Sequence, residues 1–212
     1  QNPYNVIRAA ADFAAGMRRA YGLAVCSMQS IWYGQQGSIF GPERERLLEY
    51  TKRAVLFAEA AGCVNLVFGS PKNRVMPEGK TTEDAVGFFR ELGDFAHSHG
   101  AVLELEANPP LYGTNFVNTT AEAFAMVKMV GSPGFLVNLD VGTMVENGGT
   151  VEALRGQMDK IHHVHISEPN LVRVERRELH SQLAALLREE GYGGCVSIEM
   201  KAQPLPVLDE VA

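Results

Sequence analysis

The chain has 212 residues, 46% hydrophobic and 21% charged, with a formal net charge of −6 and a pI near 5.5. That length holds an ordinary core and the composition excludes disorder as the main state, while the acidic balance gives no overall pull toward a phosphate backbone, so no nucleic-acid partner is expected. No run approaches the ~18–20 apolar residues of a membrane span, no signal peptide opens the chain, and the scattered Cys26, Cys63 and Cys195 read as small buried residues of a reducing, cytoplasmic compartment.

Helix-period and strand-like segments alternate from the start. Asn5 to Ala20 reads as an amphipathic helix, with Val6, Ala10, Phe13, Ala14 and Met17 on one face and Tyr21-Gly22 at its end. Leu23 to Gln29 is a short apolar run with the character of a buried strand. Ser30 to Pro42 is a Gly-rich loop carrying Trp32 and Tyr33. Pro42 to Ala61 is a helix: Leu47, Leu48, Thr51, Val55 and Ala58 recur at helical spacing, and Gly62 caps it. Cys63 to Phe68 is a strand, followed by a loop from Gly69 to Arg74. Thr82 to His99 is a helix closed by Gly100, and Ala101 to Glu106 a strand followed by Asn-Pro-Pro. Thr120 to Val130 is a helix with Thr119 or Thr120 as N-cap. Phe135 to Asp140 is a strand leading into a Gly-rich loop. Val151 to Met158 is a short helix, Ile161 to Ile166 a strand, Arg177 to Glu190 a helix, and Val196 to Glu199 the last strand.

No long linker divides these segments, so residues 1–212 read as a single domain of the α/β class, a parallel sheet covered by helices. A doubly wound sheet and a (β/α)8 TIM barrel both fit the alternation. Side-chain parity separates them. Leu103, Leu105, Val137, Leu139, Val164, Ile166, Ile198 and Met200 fall on one face of the last four strands. Glu104, Glu106, Asn138, Asp140, His163, His165, Ser197 and Glu199 fall on the other. A sheet covered on both faces needs apolar residues on both; a barrel with a functional interior does not.

The outermost polar residues, Glu106, Asp140, His165 and Glu199, close their strands at the C-terminal end, where barrel active sites lie. Three carboxylates aimed at one point repel one another unless a cation joins them. With one imidazole they form a hard, oxygen-rich donor set suited to one divalent ion, Mn²⁺ or Mg²⁺ first and Co²⁺ or Zn²⁺ next. The deeper layer of Glu104, Asn138, His163 and Ser197 is expected to orient those ligands.

The segments LELEANP, NLDVGTM, HVHISEPN and SIEMK resemble the xylose isomerase-like TIM-barrel superfamily, which includes tagatose 3-epimerase-like sugar epimerases and endonuclease IV-type nucleases. The resemblance implies that the six visible strands are strands three to eight, with the first two βα units absent from a chain that begins at Gln1. It implies that Glu106, Asp140, His165 and Glu199 bind the metal, and that Glu106 and Glu199 are the catalytic acid/base pair. Two positions depart from the epimerase pattern: Thr143 stands where a substrate-touching His is frequent, and Leu171 where an Arg occurs. Trp32, Lys72, Arg74 and Thr143 are candidates for contacting a small sugar substrate, the two cations by holding a phosphate or carboxylate. The expected activity is metal-dependent isomerisation or epimerisation of a small sugar, with a homo-oligomer as one expected state. A metal-dependent nuclease and a truncated, non-catalytic ligand-binding barrel are the alternatives. The nuclease type needs many His ligands, and this chain has six.

Overall fold

The computed structural model describes residues 3–203. Six strands lie side by side in chain order, all parallel: β1 (Ser27–Met28), β2 (Asn65–Phe68), β3 (Val102–Glu106), β4 (Phe135–Asp140), β5 (Ile161–Ile166) and β6 (Cys195–Ile198). Parallel neighbours need a crossover between each pair. The helices that supply them are α2 (Arg44–Ala61), α3 (Val86–Ser98), α4 (Thr120–Val130), α5 (Val141–Glu146) and α6 (Glu178–Glu189), while α1 (Pro3–Tyr21) precedes β1. Among the described residues the strand order never reverses, so they contain no topological switch point of the doubly wound kind.

The sheet is curled. Ser27 Oγ on β1 lies 3.5 Å from His163 Nδ1 on β5. Four strand spacings in a flat sheet would separate them by about 19 Å. The curl makes this a partial TIM barrel whose interior is the polar face of the strands.

The caps explain where the helices start and stop. Thr119 and Glu122 form a reciprocal capping box at the head of α4, and Gly131, at φ +63°, ends it. Thr81 and Asp84 form a second box, but it opens a tight 3-10 turn, Thr82–Ala85, so α3 itself begins one turn later than its periodicity suggests.

The core lies between the helices and the outer, apolar face of the strands. Leu103, Leu105, Val137, Leu139 and Val164 are all buried there. Phe89 of α3 stacks on Phe135 at 4.8 Å and meets the edge of Phe68 at 5.3 Å. Gly134 permits the close approach of α3 to β4: a Cβ there would stand 2.1 Å from the Gly93 carbonyl oxygen.

Several elements differ from the sequence expectation. The run Leu23 to Gln29 yields only a two-residue strand, because its first residues, Leu23 and Ala24, stay exposed and only Ser27 and Met28 pair with β2. The Gly-rich segment after Asp140 is the helix α5 rather than a loop. The Val151 helix is a pair of 3-10 turns, Val151–Leu154 and Met158–Lys160. Of the three cysteines only Cys63 is buried; Cys26 is exposed and Cys195 half-buried. The outward Val196 and Ile198 of β6 remain 51% and 46% exposed, so the apolar parity of that strand is not matched by cover among the described residues.

Candidate metal centre

Glu106 is the last residue of β3 and Asp140 the last of β4; His165 is the penultimate residue of β5, and Glu199 follows β6 directly. Register brings them level. Glu106 pairs with Asn138, Asp140 with His165, and His165 with Ser197. Each next candidate ligand thus sits level with the last or two residues further along, which is how tilted barrel strands present residues at one height.

One donor atom from each of the four lies within 4.8 Å of all the others. His165 Nδ1 stands 3.3 Å from Glu106 Oε2 and 3.2 Å from Glu199 Oε2. Each buried carboxylate is also held from behind. Asn138 Nδ2 donates to Glu106 Oε2 at 2.8 Å and lies 3.1 Å from His165 Nδ1; Asn108 Nδ2 donates to Glu106 Oε1 at 2.8 Å. The Thr143 amide donates to Asp140 Oδ1 at 2.6 Å, and the Ser167 hydroxyl donates to Oδ2.

The charge balance shows what the cluster lacks. Burial works to lower the His165 pKa, but hydrogen bonds and charge from Glu106 and Glu199 outweigh it and hold the imidazole at about 10. Burial and then the charge of Glu106 push Asp140 up to about 7, against the donors Ser167 and Thr143. Burial also works to raise Glu106, yet His165, Asn108 and Arg74 keep it below the ordinary carboxylate value. Protonated His165 therefore supplies positive charge that three converging carboxylates demand. A divalent ion coordinated by the same four residues would meet that demand in place of the proton, and the donor set fits one.

The other sequence candidates are placed as follows. Trp32 does not face the site: it is 2% exposed, donates to Thr51 Oγ1 at 2.7 Å, and packs edge-on against Phe68 at 4.7 Å. Its apolar ring is worth more in the core than on a wet rim. Lys72 is exposed and lies outside the cavity lining. Arg74 is fully buried and points inward, donating from Nη2 to the Glu106 carbonyl at 2.7 Å and to Asn108 Oδ1 at 2.5 Å. It supports the ligand segment from beneath and is not placed to meet a substrate anion. Thr143 is buried within α5 and spends its hydroxyl on the Ala107 carbonyl. In the deeper layer, Asn138 touches two ligands. Glu104 instead lies 2.6 Å from His162 and 3.6 Å from His163, and His163 lies 2.9 Å from Ser197 Oγ. A register shift between β4 and β5 at this level brings both neighbouring histidines to one carboxylate.

Asn108 and Ser167 escaped the sequence reading. Each lies two residues beyond a ligand, so continuing the alternation past the strand end would have found both. Tyr112 also lines the cavity, its hydroxyl accepting from the Asn170 amide at 2.9 Å; no periodicity marks it.

The family model described as xylose isomerase-like TIM barrel matches residues 5–212. No curated protein sequence matches. Among solved structures, the 3-keto-D-glucoside 4-epimerase of E. coli superposes with a TM-score of 0.77 at 19% identity, covering 99% of this chain and 83% of that one. A family 2 AP endonuclease from Brucella melitensis gives 0.75 at 20% identity, covering 94% and 80%. The IOLI protein, solved with a bound zinc atom, gives 0.67 at 20% identity, covering 90% and 72%. At such identities the likeness shows the fold.

Proposed function

The chain belongs to the xylose isomerase-like TIM-barrel family, and from that membership we propose that it is a metal-dependent isomerase or epimerase of a small sugar or sugar derivative. The observation that carries this reading is the convergence of Glu106 and Glu199, from β3 and from the end of β6, on one imidazole nitrogen. They meet at the floor of a cavity of about 190 Å³.

Glu106, Asp140, His165 and Glu199 are the residues that would hold the ion, Mn²⁺ or Mg²⁺ by the hardness of the donors, with Co²⁺ or Zn²⁺ next. A divalent ion held there would supply Lewis acidity toward a substrate carbonyl and its developing negative charge. One glutamate removes the proton from the carbon beside the carbonyl. The other returns a proton, to the neighbouring carbon for isomerisation or to the opposite face for epimerisation. The amides of Asn108 and Asn138 fix the Glu106 carboxylate in the orientation that this transfer needs. The likeness in fold to the E. coli 3-keto-D-glucoside 4-epimerase supports the same chemistry.

Incubation of the Mn²⁺-loaded chain with a ketose panel in deuterium oxide tests the proposal. Deuterium should enter the carbon beside the carbonyl, and Glu199→Gln should slow that entry ~100-fold or more. Bound metal without exchange in any sugar would leave a barrel that binds ligand without turnover. The Brucella relative favours a second reading, a metal-dependent nuclease; cleavage of abasic DNA by the same preparation would promote it.

A further inference from the structure

We propose that the site accepts an uncharged polyhydroxy carbonyl compound and discriminates against phosphorylated or carboxylated sugars; the inference rests on the isomerase or epimerase reading and narrows its substrate class. Every charged side chain on the described lining of the cavity is an acid: Glu106, Asp140 and Glu199. The polar remainder, Gln29, Ser30, Ser70, Asn108 and Tyr112, is amide or hydroxyl. Such groups donate and accept, which suits sugar hydroxyls, whereas a phosphate needs an Arg or Lys or a set of free backbone N–H groups.

Among the described residues, the groups near the cavity that could hold an anion lie off its lining or are engaged elsewhere. The two cations of the loop after β2 do not line the cavity: Lys72 is exposed, and Arg74 is wholly buried off the lining, its Nη2 bonded to Glu106 O and Asn108 Oδ1 and its Nε and Nη1 without a partner. Helix α5 begins at the cavity, but two of its first three N–H groups are spent within the protein. Gly142 N donates to Ser167 Oγ at 2.8 Å and Thr143 N to Asp140 Oδ1. Phosphate sites in TIM barrels are frequently built from the loops after the last two strands. Here the loop after β5 carries Glu168, 2% exposed, whose two oxygens accept from Arg177 at 2.7 and 2.6 Å. The same loop sends an apolar side chain, Leu171, to the lining, from a backbone at φ +53°. A phosphate dianion in this cavity finds no cationic side chain on the described lining and shares it with three carboxylates, and with a divalent ion bound the four-residue centre would still carry net negative charge. Like-charge juxtaposition of this kind excludes a ligand strongly.

The test compares each neutral ketose with its own phosphate ester on the Mn²⁺-loaded chain. Binding is read by the relaxation of water protons around Mn²⁺, and turnover by deuterium entry from solvent. Neutral ketoses should bind about 100-fold tighter than their esters and should be the ones that exchange. Gln29→Lys, which adds a cation to the lining, should tighten ester binding at least ~10-fold. Esters that bind or exchange as well as the neutral sugars in the wild-type chain overturn the inference while leaving the isomerase reading intact. Neutral sugars that bind without exchange uphold the ligand class and overturn the isomerase reading. Binding of neither class overturns both.

Discussion

Asn138→Leu separates metal affinity from fold stability. The Asn138 amide nitrogen donates to Glu106 Oε2 at 2.8 Å, while its Oδ1 is buried without a hydrogen-bond partner. A hydrogen bond to a charged group contributes roughly 1.5–3 kcal/mol, and an unsatisfied buried acceptor costs ~1–3 kcal/mol. Leucine has nearly the shape of asparagine. In the metal-free chain it therefore loses one term and relieves the other, and net stability should move by less than ~1 kcal/mol. Metal binding has no such offset. The lost donor leaves Glu106 free to turn from the cluster, and 1.5–3 kcal/mol is about 10- to 150-fold in a dissociation constant. Removing a group that orients a ligand typically costs 10–100-fold. Free Mn²⁺ measured by electron paramagnetic resonance during titration gives the affinity, and urea unfolding of the EDTA-treated chain gives the stability. An affinity within twofold of wild type, or a loss of stability with the affinity intact, refutes the reasoning.

Gly142→Ala should disturb the same centre through its scaffold: a Cβ there would lie 2.9 Å from the Glu168 carbonyl carbon and from Ser167 Oγ. It should cost about 1–3 kcal/mol in urea unfolding and weaken Mn²⁺ binding by displacing the Ser167 support of Asp140; an unchanged unfolding midpoint would contradict the packing argument. Trp32→Ala should cost ~3–5 kcal/mol in stability and leave the Mn²⁺ affinity of the folded fraction unchanged; a variant of wild-type stability with altered sugar affinity would put Trp32 back at the site. In the metal-free chain His165 is held at about 10, above its unfolded value near 6.5. The stability it contributes is complete below about pH 6.5 and is lost as pH rises toward 10. Unfolding midpoints of the EDTA-treated chain should fall from pH 7 to 10, and Mn²⁺ uptake at pH 8 should release a proton to the medium; a flat profile with no proton release would exclude a protonated His165.

What could be read from the sequence was whatever repeats with the backbone. Side chains alternate along a strand, so Glu106, Asp140, His165 and Glu199 declared a common face before any coordinates, and the same alternation continues through Asn108 and Ser167. The limits of α4 were equally legible, because Thr119, Glu122 and Gly131 are chemically required at its ends. Loop residues have no such period. Lys72 and Arg74 look alike as anion holders, two residues apart in one loop. Their fates differ because Ser70, in the left-handed region at φ +44°, starts a tight turn at Pro71–Arg74. That turn leaves Lys72 in water and tucks Arg74 under Glu106. Trp32 follows the same logic: a rim aromatic in sequence, it is a core residue because Thr51 on α2 offers its indole N–H a buried acceptor. The candidate ion site thus lies on the periodic strands, while the proposed choice of substrate rests on the turns between them. That division is why the four candidate ligands show in the pattern alone, whereas the proposed exclusion of anions depends on where Arg74, Gly142 and Glu168 sit in the fold.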